Sequence, residues 1–136
     1  MGNLERSPID IAIRLISKKW TLNIIRDMFC GKKQFNEFLK SNPKLSSKVL
    51  STKLRQLEQD GLIEKIIVSK TPVTIEYHLT SKGRNLNKVL YELSGFAYKE
   101  CADESTPVCT EHSYELTKEL LNIEDFDKLS QHYTKI

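Results

Sequence analysis

Residues 45–62 read LSSKVLSTKLRQLEQDGL. Leu50, Leu54 and Leu57 recur at helical spacing, with Val49 on their flank. A step of about 100° per residue places Lys48, Ser51, Thr52 and Arg55 on the opposite face. Ser46 stands where an N-cap is wanted and Gly61 where a helix stops, which predicts a helix over 46–60. Its outward face is cationic and rich in hydroxyls, with no acid before Glu58. Lys and Arg reach phosphates or guanine, and Ser and Thr reach backbone or base edges, so such a face suits a DNA major groove. An ordinary solvated helix carries two cations as readily, so the flanking sequence has to decide.

Upstream, Ser7 precedes Pro8 as a cap, and Ile9, Ala12, Ile13 and Ile16 form a helical stripe. After Lys18-Lys19 a second stripe runs Trp20, Ile24, Ile25, Met28 and ends at Cys30-Gly31. Trp20 is expected in the core because it begins that stripe, and Cys30 is expected to act as a small buried hydrophobe. Phe35, Phe38 and Leu39 mark a short third helix, closed by Ser41-Asn42-Pro43. A short helix, a turn and then the basic helix 46–60 is the helix-turn-helix order.

Downstream the period changes. Residues 62–69 and 74–80 are rich in β-branched side chains with partial alternation, separated by Lys70-Thr71-Pro72-Val73. That pattern predicts a β-hairpin with a proline at its tip, as Pro72 would break a central ladder. A hairpin directly after a helix-turn-helix is a wing. Lys70 at its tip, between Ser69 and Thr71, suits a phosphate or the minor groove. Thr80 is expected to cap a long helix reaching about Cys101, with Leu86, Val89, Leu90, Leu93, Phe96 and Ala97 on one stripe. Residues 102–111 read as a linker. Two amphipathic stretches follow, Leu116, Leu120, Leu121, Ile123 and then Phe126, Leu129, Tyr133. The expected fold is mainly α with a small β-hairpin wing (α+β), a winged helix-turn-helix that dimerises through its terminal helices. The expected organisation is a DNA-binding domain over 1–101 and an acidic helical extension over 102–136.

The 136 residues amount to one domain with a modest core. Hydrophobic content of 39% and charged content of 29% describe an ordinary soluble chain. No apolar run approaches the ~18 residues of a membrane span. The first ten residues, MGNLERSPID, lack the apolar stretch of a signal peptide, and Arg6 spoils a lipidation motif at Gly2, so a cytoplasmic location is expected. Charge is unevenly placed. Residues 1–99 hold 18 Lys+Arg against 9 Asp+Glu, and residues 100–136 hold 3 against 9. The body is thus +9 and the tail −6, within a whole-chain charge of +3. Over residues 32–55 seven cations, Lys32 and Lys33 among them, face Glu37 alone. A basic body suits a polyanionic partner.

Other chemistries find little support. His78 lies in a predicted strand away from any nucleophile, and the remaining histidines are His112 and His132. Cys101, Cys109 and His112 have loose spacing and no second ligand pair, so no metal site is expected. Gly31 and Gly83 are isolated, so no phosphate-cradling loop is present. Three cysteines in a chain without a secretion signal read as thiols, although Cys101 and Cys109 are free to pair. Tyr77, Phe96 and Tyr98 could line an effector pocket, but their spacing favours plain packing. No catalytic residue or cofactor is expected, and a small-molecule effector of unknown identity stays possible.

At this point the residues resemble the HxlR-type, MarR-related winged-helix transcriptional regulators. The matching pieces run in order from Ser7-Pro8-Ile9 through Lys19-Trp20-Thr21-Leu22, Ile25-Arg26-Asp27 and Phe35-Asn36-Glu37-Phe38. They continue through Ser46, Lys48, Leu50, Ser51, Leu54, Arg55, Leu57 and Glu58 to Asp60-Gly61-Leu62-Ile63. Glu76-Tyr77-His78-Leu79-Thr80, Gly83 and Leu86 complete the match, which covers about residues 7–99. The resemblance implies a homodimer on a palindromic operator. Many members carry a cysteine just before the first-helix proline, where it senses oxidants, but this chain has Ser7. A hydroxyl cannot enter thiol redox chemistry, so thiol sensing at that position does not transfer. Residues 100–136 show no matching motif.

The expected DNA contacts are Ser46, Ser47, Lys48, Ser51, Thr52, Lys53, Arg55 and the wing residue Lys70, with Lys44 at the flank. Leu86, Leu90, Leu93 and Ala97 are the expected dimer contacts. The acidic tail is expected at the dimer interface. Two-fold symmetry would set the two recognition helices about one DNA turn, roughly 34 Å, apart. The rival expectation is a winged-helix protein-interaction module, in which the 46–60 face meets an acidic protein partner.

Overall fold

A computed structural model describes residues 7–101 and 118–121 of the chain. Helices α1 (Pro8–Ile16), α2 (Thr21–Phe29), α3 (Phe35–Ser41) and α4 (Ser47–Gln59) precede strands β1 (Ile63–Lys70) and β2 (Val73–Leu79). Helices α5 (Ser81–Arg84) and α6 (Asn87–Phe96) follow, and Ala97–Cys101 forms a π-helical turn. The fold is therefore mainly helical with one antiparallel hairpin, as expected.

The core is built where the apolar stripes meet. Ile24 and Ile25 of α2, Phe38 of α3, and Leu50, Leu54 and Leu57 of α4 are all buried, and Leu62 and Ile63 close the core at the root of the hairpin. Helices α2 and α4 stop in the same way. Gly31 (φ 89°) and Gly61 (φ 75°) take left-handed backbone that a side chain would disfavour. At α4 the Gly61 amide donates to the Glu58 carbonyl and the Leu62 amide to Leu57, both at 3.0 Å. At α2 the Gly31 amide donates to Met28 and the Lys32 amide to Asp27, again at 3.0 Å. These are Schellman closures, and each turns the chain sharply back onto the core.

The hairpin pairs Ile63 with Leu79 and Ile67 with Ile75, and it ends with Lys70 opposite Val73 across a cis Thr71-Pro72 peptide. The register shifts at Val68, a β-bulge. The root is anchored: the Tyr77 amide donates to the Lys33 carbonyl at 2.8 Å, and the Tyr77 ring meets Phe38 edge-on at 6.5 Å. The tip is not: Ile67, Val68 and Val73 are exposed.

Several local expectations are corrected. Ser7 occupies the N-cap of α1, but its side chain makes no capping hydrogen bond; its carbonyl accepts from Ile11 at 3.0 Å. Trp20 does not begin the α2 stripe. It sits before the helix in left-handed backbone (φ 75°), half-buried, with the Lys19 ammonium 5.4 Å from its ring centre. Cys30 is exposed rather than buried. It lies two residues, about 200°, beyond the inward-facing Met28. Phe96, expected to pack, is 62% exposed.

The long helix after Thr80 is broken. The Thr80 hydroxyl accepts from the Gly83 amide at 3.1 Å and donates to the Gly61 carbonyl at 2.5 Å. Arg84 reaches back to the Leu79 carbonyl at 2.8 Å. These bonds tie α5 to the hairpin root, and the helical path restarts only at Asn87. The chain divides into two compact units, Met1–Arg84 and Asn85–Ile136, with the division between α5 and α6. In the second unit the Asn87 side-chain amide donates to the carbonyl of buried Leu121 at 2.8 Å. The linker 102–111 and the stretch from Ile123 onward lie outside the described residues, as do Cys109, His112, Leu116 and His132.

Candidate nucleic-acid interface

Helix α4 turns Leu50, Leu54 and Leu57 inward, which leaves Ser47, Lys48, Ser51, Thr52 and Arg55 exposed on the other side. Their hydrogen-bonding groups differ in freedom. The Ser46 hydroxyl oxygen caps α4, accepting from the Val49 amide at 3.2 Å. The Thr52 hydroxyl donates back to the Lys48 carbonyl at 3.2 Å, a common habit of threonine within helices. Lys53 is half-buried and donates to Gln56 at 3.3 Å, which draws it to the edge of the face. Lys44 is exposed in the turn before α4. Lys70 is exposed at the far end of β1. Structure thus brings the α4 residues onto one face and sets Lys70 at the tip of a separate projection.

The turn that aims α4 is fixed by polar chemistry that the apolar pattern did not reveal. Asp27, only 2% exposed, accepts from Asn42 at 2.8 Å and from Ser41 at 2.9 Å. Arg26 adds contacts to it from Nε at 3.2 Å and Nη2 at 3.0 Å. The Asn42 amide also donates to the Phe38 carbonyl at 2.9 Å. In effect the end of α2 clamps the α3–α4 turn, because each buried polar group finds a partner. One sequence signal was available: Asp27 stands between Ile25 and Met28, on the side of α2 that faces the core.

The wing root carries a second polar cluster. Glu76 accepts from His78 at 2.9 Å and pairs with Lys33 at 3.4 Å. The hydrogen bond from His78 and the Lys33 charge hold the Glu76 carboxyl below its ordinary value, against a smaller opposing effect of burial. Burial pushes the Tyr77 phenol up, helped by the nearby Glu58 charge. Tyr77 packs edge-on against Phe38 at the root. Among the described residues no cluster of His, Cys, Asp and Glu is arranged to hold a metal ion, and no helix is long and apolar enough to cross a membrane.

The HxlR-like helix-turn-helix family model matches residues 15–105. The chain is a member of that family. The HTH-type transcriptional regulator YodB of Bacillus subtilis is 35% identical over 111 residues, 82% of this chain and 98% of YodB. YdeP, an HTH-type transcriptional regulator of the same organism, is 35% identical over 104 residues, 75% of this chain and 81% of YdeP. The structure of YodB in its reduced form superposes with a TM-score of 0.63 at 34% identity, over 71% of this chain and 98% of that one. The redox regulator HypR in its reduced form gives a TM-score of 0.66 at 30% identity, over 70% and 94%. As a member of the HxlR-like family, the chain is a transcriptional regulator with a winged helix-turn-helix, DNA-binding fold.

Proposed function

We propose that this HxlR-like protein binds a palindromic DNA operator as a homodimer and so controls transcription in the cytoplasm. Helix α4 enters the major groove, where Arg55 and Lys48 reach guanine or phosphate and Ser47, Ser51 and Thr52 reach backbone or base edges. Ser46 and Lys53 act at the margins of that face. The β1–β2 wing lies on the flanking backbone or minor groove through Lys70. The observation that carries the reading is the outward face of α4, cationic and hydroxyl-bearing from Ser47 to Arg55, with no acid on the helix before Glu58. Dimerisation runs along Leu86, Leu90, Leu93 and Ala97, one stripe at helical spacing; Leu93 is 48% exposed within its own chain.

Selection of bound fragments from a genomic library tests this directly. The expected result is enrichment of fragments that share an inverted repeat, with half-sites about 10 base pairs apart. Recovery of no enriched DNA would transfer the α4 face to an acidic protein partner.

A further inference from the structure

Lys32 and Lys33 are neighbours in the loop between α2 and α3, yet their surroundings differ. Lys33 is committed to the wing: its ammonium pairs with Glu76 at 3.4 Å, and its carbonyl accepts from Tyr77. Lys32 is in no ion pair among the described residues. Its ammonium instead donates to the Ser41 hydroxyl at 2.9 Å, and that hydroxyl donates onward to Asp27 at 2.9 Å. Its backbone amide is fixed by the Asp27 carbonyl at 3.0 Å. The Asp27 carboxylate is meanwhile matched by the Arg26 guanidinium at 3.0 Å. Lys32 is therefore half-buried and held at both ends, with its ammonium against Ser41 at the end of α3, five residues before the Ser46 cap.

We propose that Lys32 is a fixed contact to a DNA backbone phosphate, with Ser41 as the residue that positions it. This rests on the DNA-binding reading above. Two of the three ammonium protons stay available to phosphate oxygens once the first is given to Ser41. A lysine already held in place loses less side-chain entropy on binding than a free one. The contact lies on the α2–α3 side of the turn, so it fixes the angle at which α4 enters the groove and carries no base information.

The test uses the full chain and a mixed-sequence duplex, with fluorescence anisotropy over a series of salt concentrations. For Lys32→Met the expected loss is about eightfold near 0.1 M salt, with a slope of log affinity against log salt shallower by about 0.9, the value of one released counterion. Lys32→Gln repeats the measurement in case the first variant folds poorly. Lys33→Met is expected to change both quantities less than Lys32→Met. Ser41→Ala is expected to weaken binding while keeping the wild-type slope, and Ser41→Thr to restore it. Equal effects of Lys32→Met and Lys33→Met, or a wild-type slope in Lys32→Met, would overturn the phosphate contact. Wild-type binding by Ser41→Ala would overturn the positioning role. Failure of the wild-type chain to bind any duplex would instead overturn the DNA-binding reading, and this contact with it.

Discussion

The Asn42 side-chain amide donates to the Asp27 carboxylate at 2.8 Å, across the junction between the end of α2 and the turn into α4. Both side chains are almost closed to solvent, at 4% and 2% exposed. Truncating either one leaves buried donors or acceptors without partners, a loss of about 1–3 kcal/mol for each such group. Asp27→Ala is therefore expected to lower the free energy of unfolding by at least that much in urea titrations. An unchanged midpoint would show that the turn holds without the clamp.

Gly83 lies against the Leu62 carbonyl oxygen, and a methyl group there would collide with it. That carbonyl is backbone and already accepts from the Thr80 amide at 3.1 Å, so it has little room to shift. Gly83→Ala is expected to cost about 1–3 kcal/mol, in the range of overpacked cores, read as a lower melting temperature. Equal stability of the two proteins would mean that α5 moves freely from the wing root.

Glu76 gives a pH dependence with a definite sign. Its folded pKa lies below the ordinary 4.5, so the folded state favours its charged form. The stability it contributes is full above about pH 4.5 and is lost as pH falls through the lower folded value. Glu76→Gln should remove this component, so that the wild type and the variant converge in melting temperature toward low pH. Parallel melting curves across that window would contradict the His78–Glu76–Lys33 arrangement.

Much of this architecture was open to sequence reasoning because it depends on local rules. The α4 stripe of Leu50, Leu54 and Leu57, the Ser46 cap and the Gly61 stop each follow from helix geometry and backbone chemistry, and all three appear as expected. What was not legible depends on tertiary contacts. The stripe from Leu86 to Ala97 fits an unbroken helix from Thr80, but the bonds of Thr80 to Gly61 and of Arg84 to Leu79 end that helix early. Trp20 reads as a helical core residue, and nothing local announces its left-handed backbone. The different surroundings of Lys32 and Lys33 are invisible in a run of basic residues, because they depend on Ser41 and Glu76 from distant elements. The composition of the α4 face was readable as chemistry, but not the clamp that aims it.

Leu93 tests the dimer. It is exposed in its own chain, so Leu93→Glu should leave the fold intact. A charge placed in a two-fold interface meets its own copy, which costs far more than at a free surface. Sedimentation is expected to show dimers for the wild type and monomers for the variant at equal concentration. Persistent dimers in Leu93→Glu would move the interface away from α6.

The central claim is that the exposed face of α4 reads DNA, and Arg55 is its most telling residue. The decisive measurement compares the wild type with Arg55→Ala on a selected operator and on a mixed-sequence duplex at matched salt. If Arg55 reads a base, the variant loses about 1–3 kcal/mol on the operator and markedly less on the mixed duplex. Equal affinity of the two proteins for the operator, or no binding of either DNA by the wild type at low salt, would contradict it.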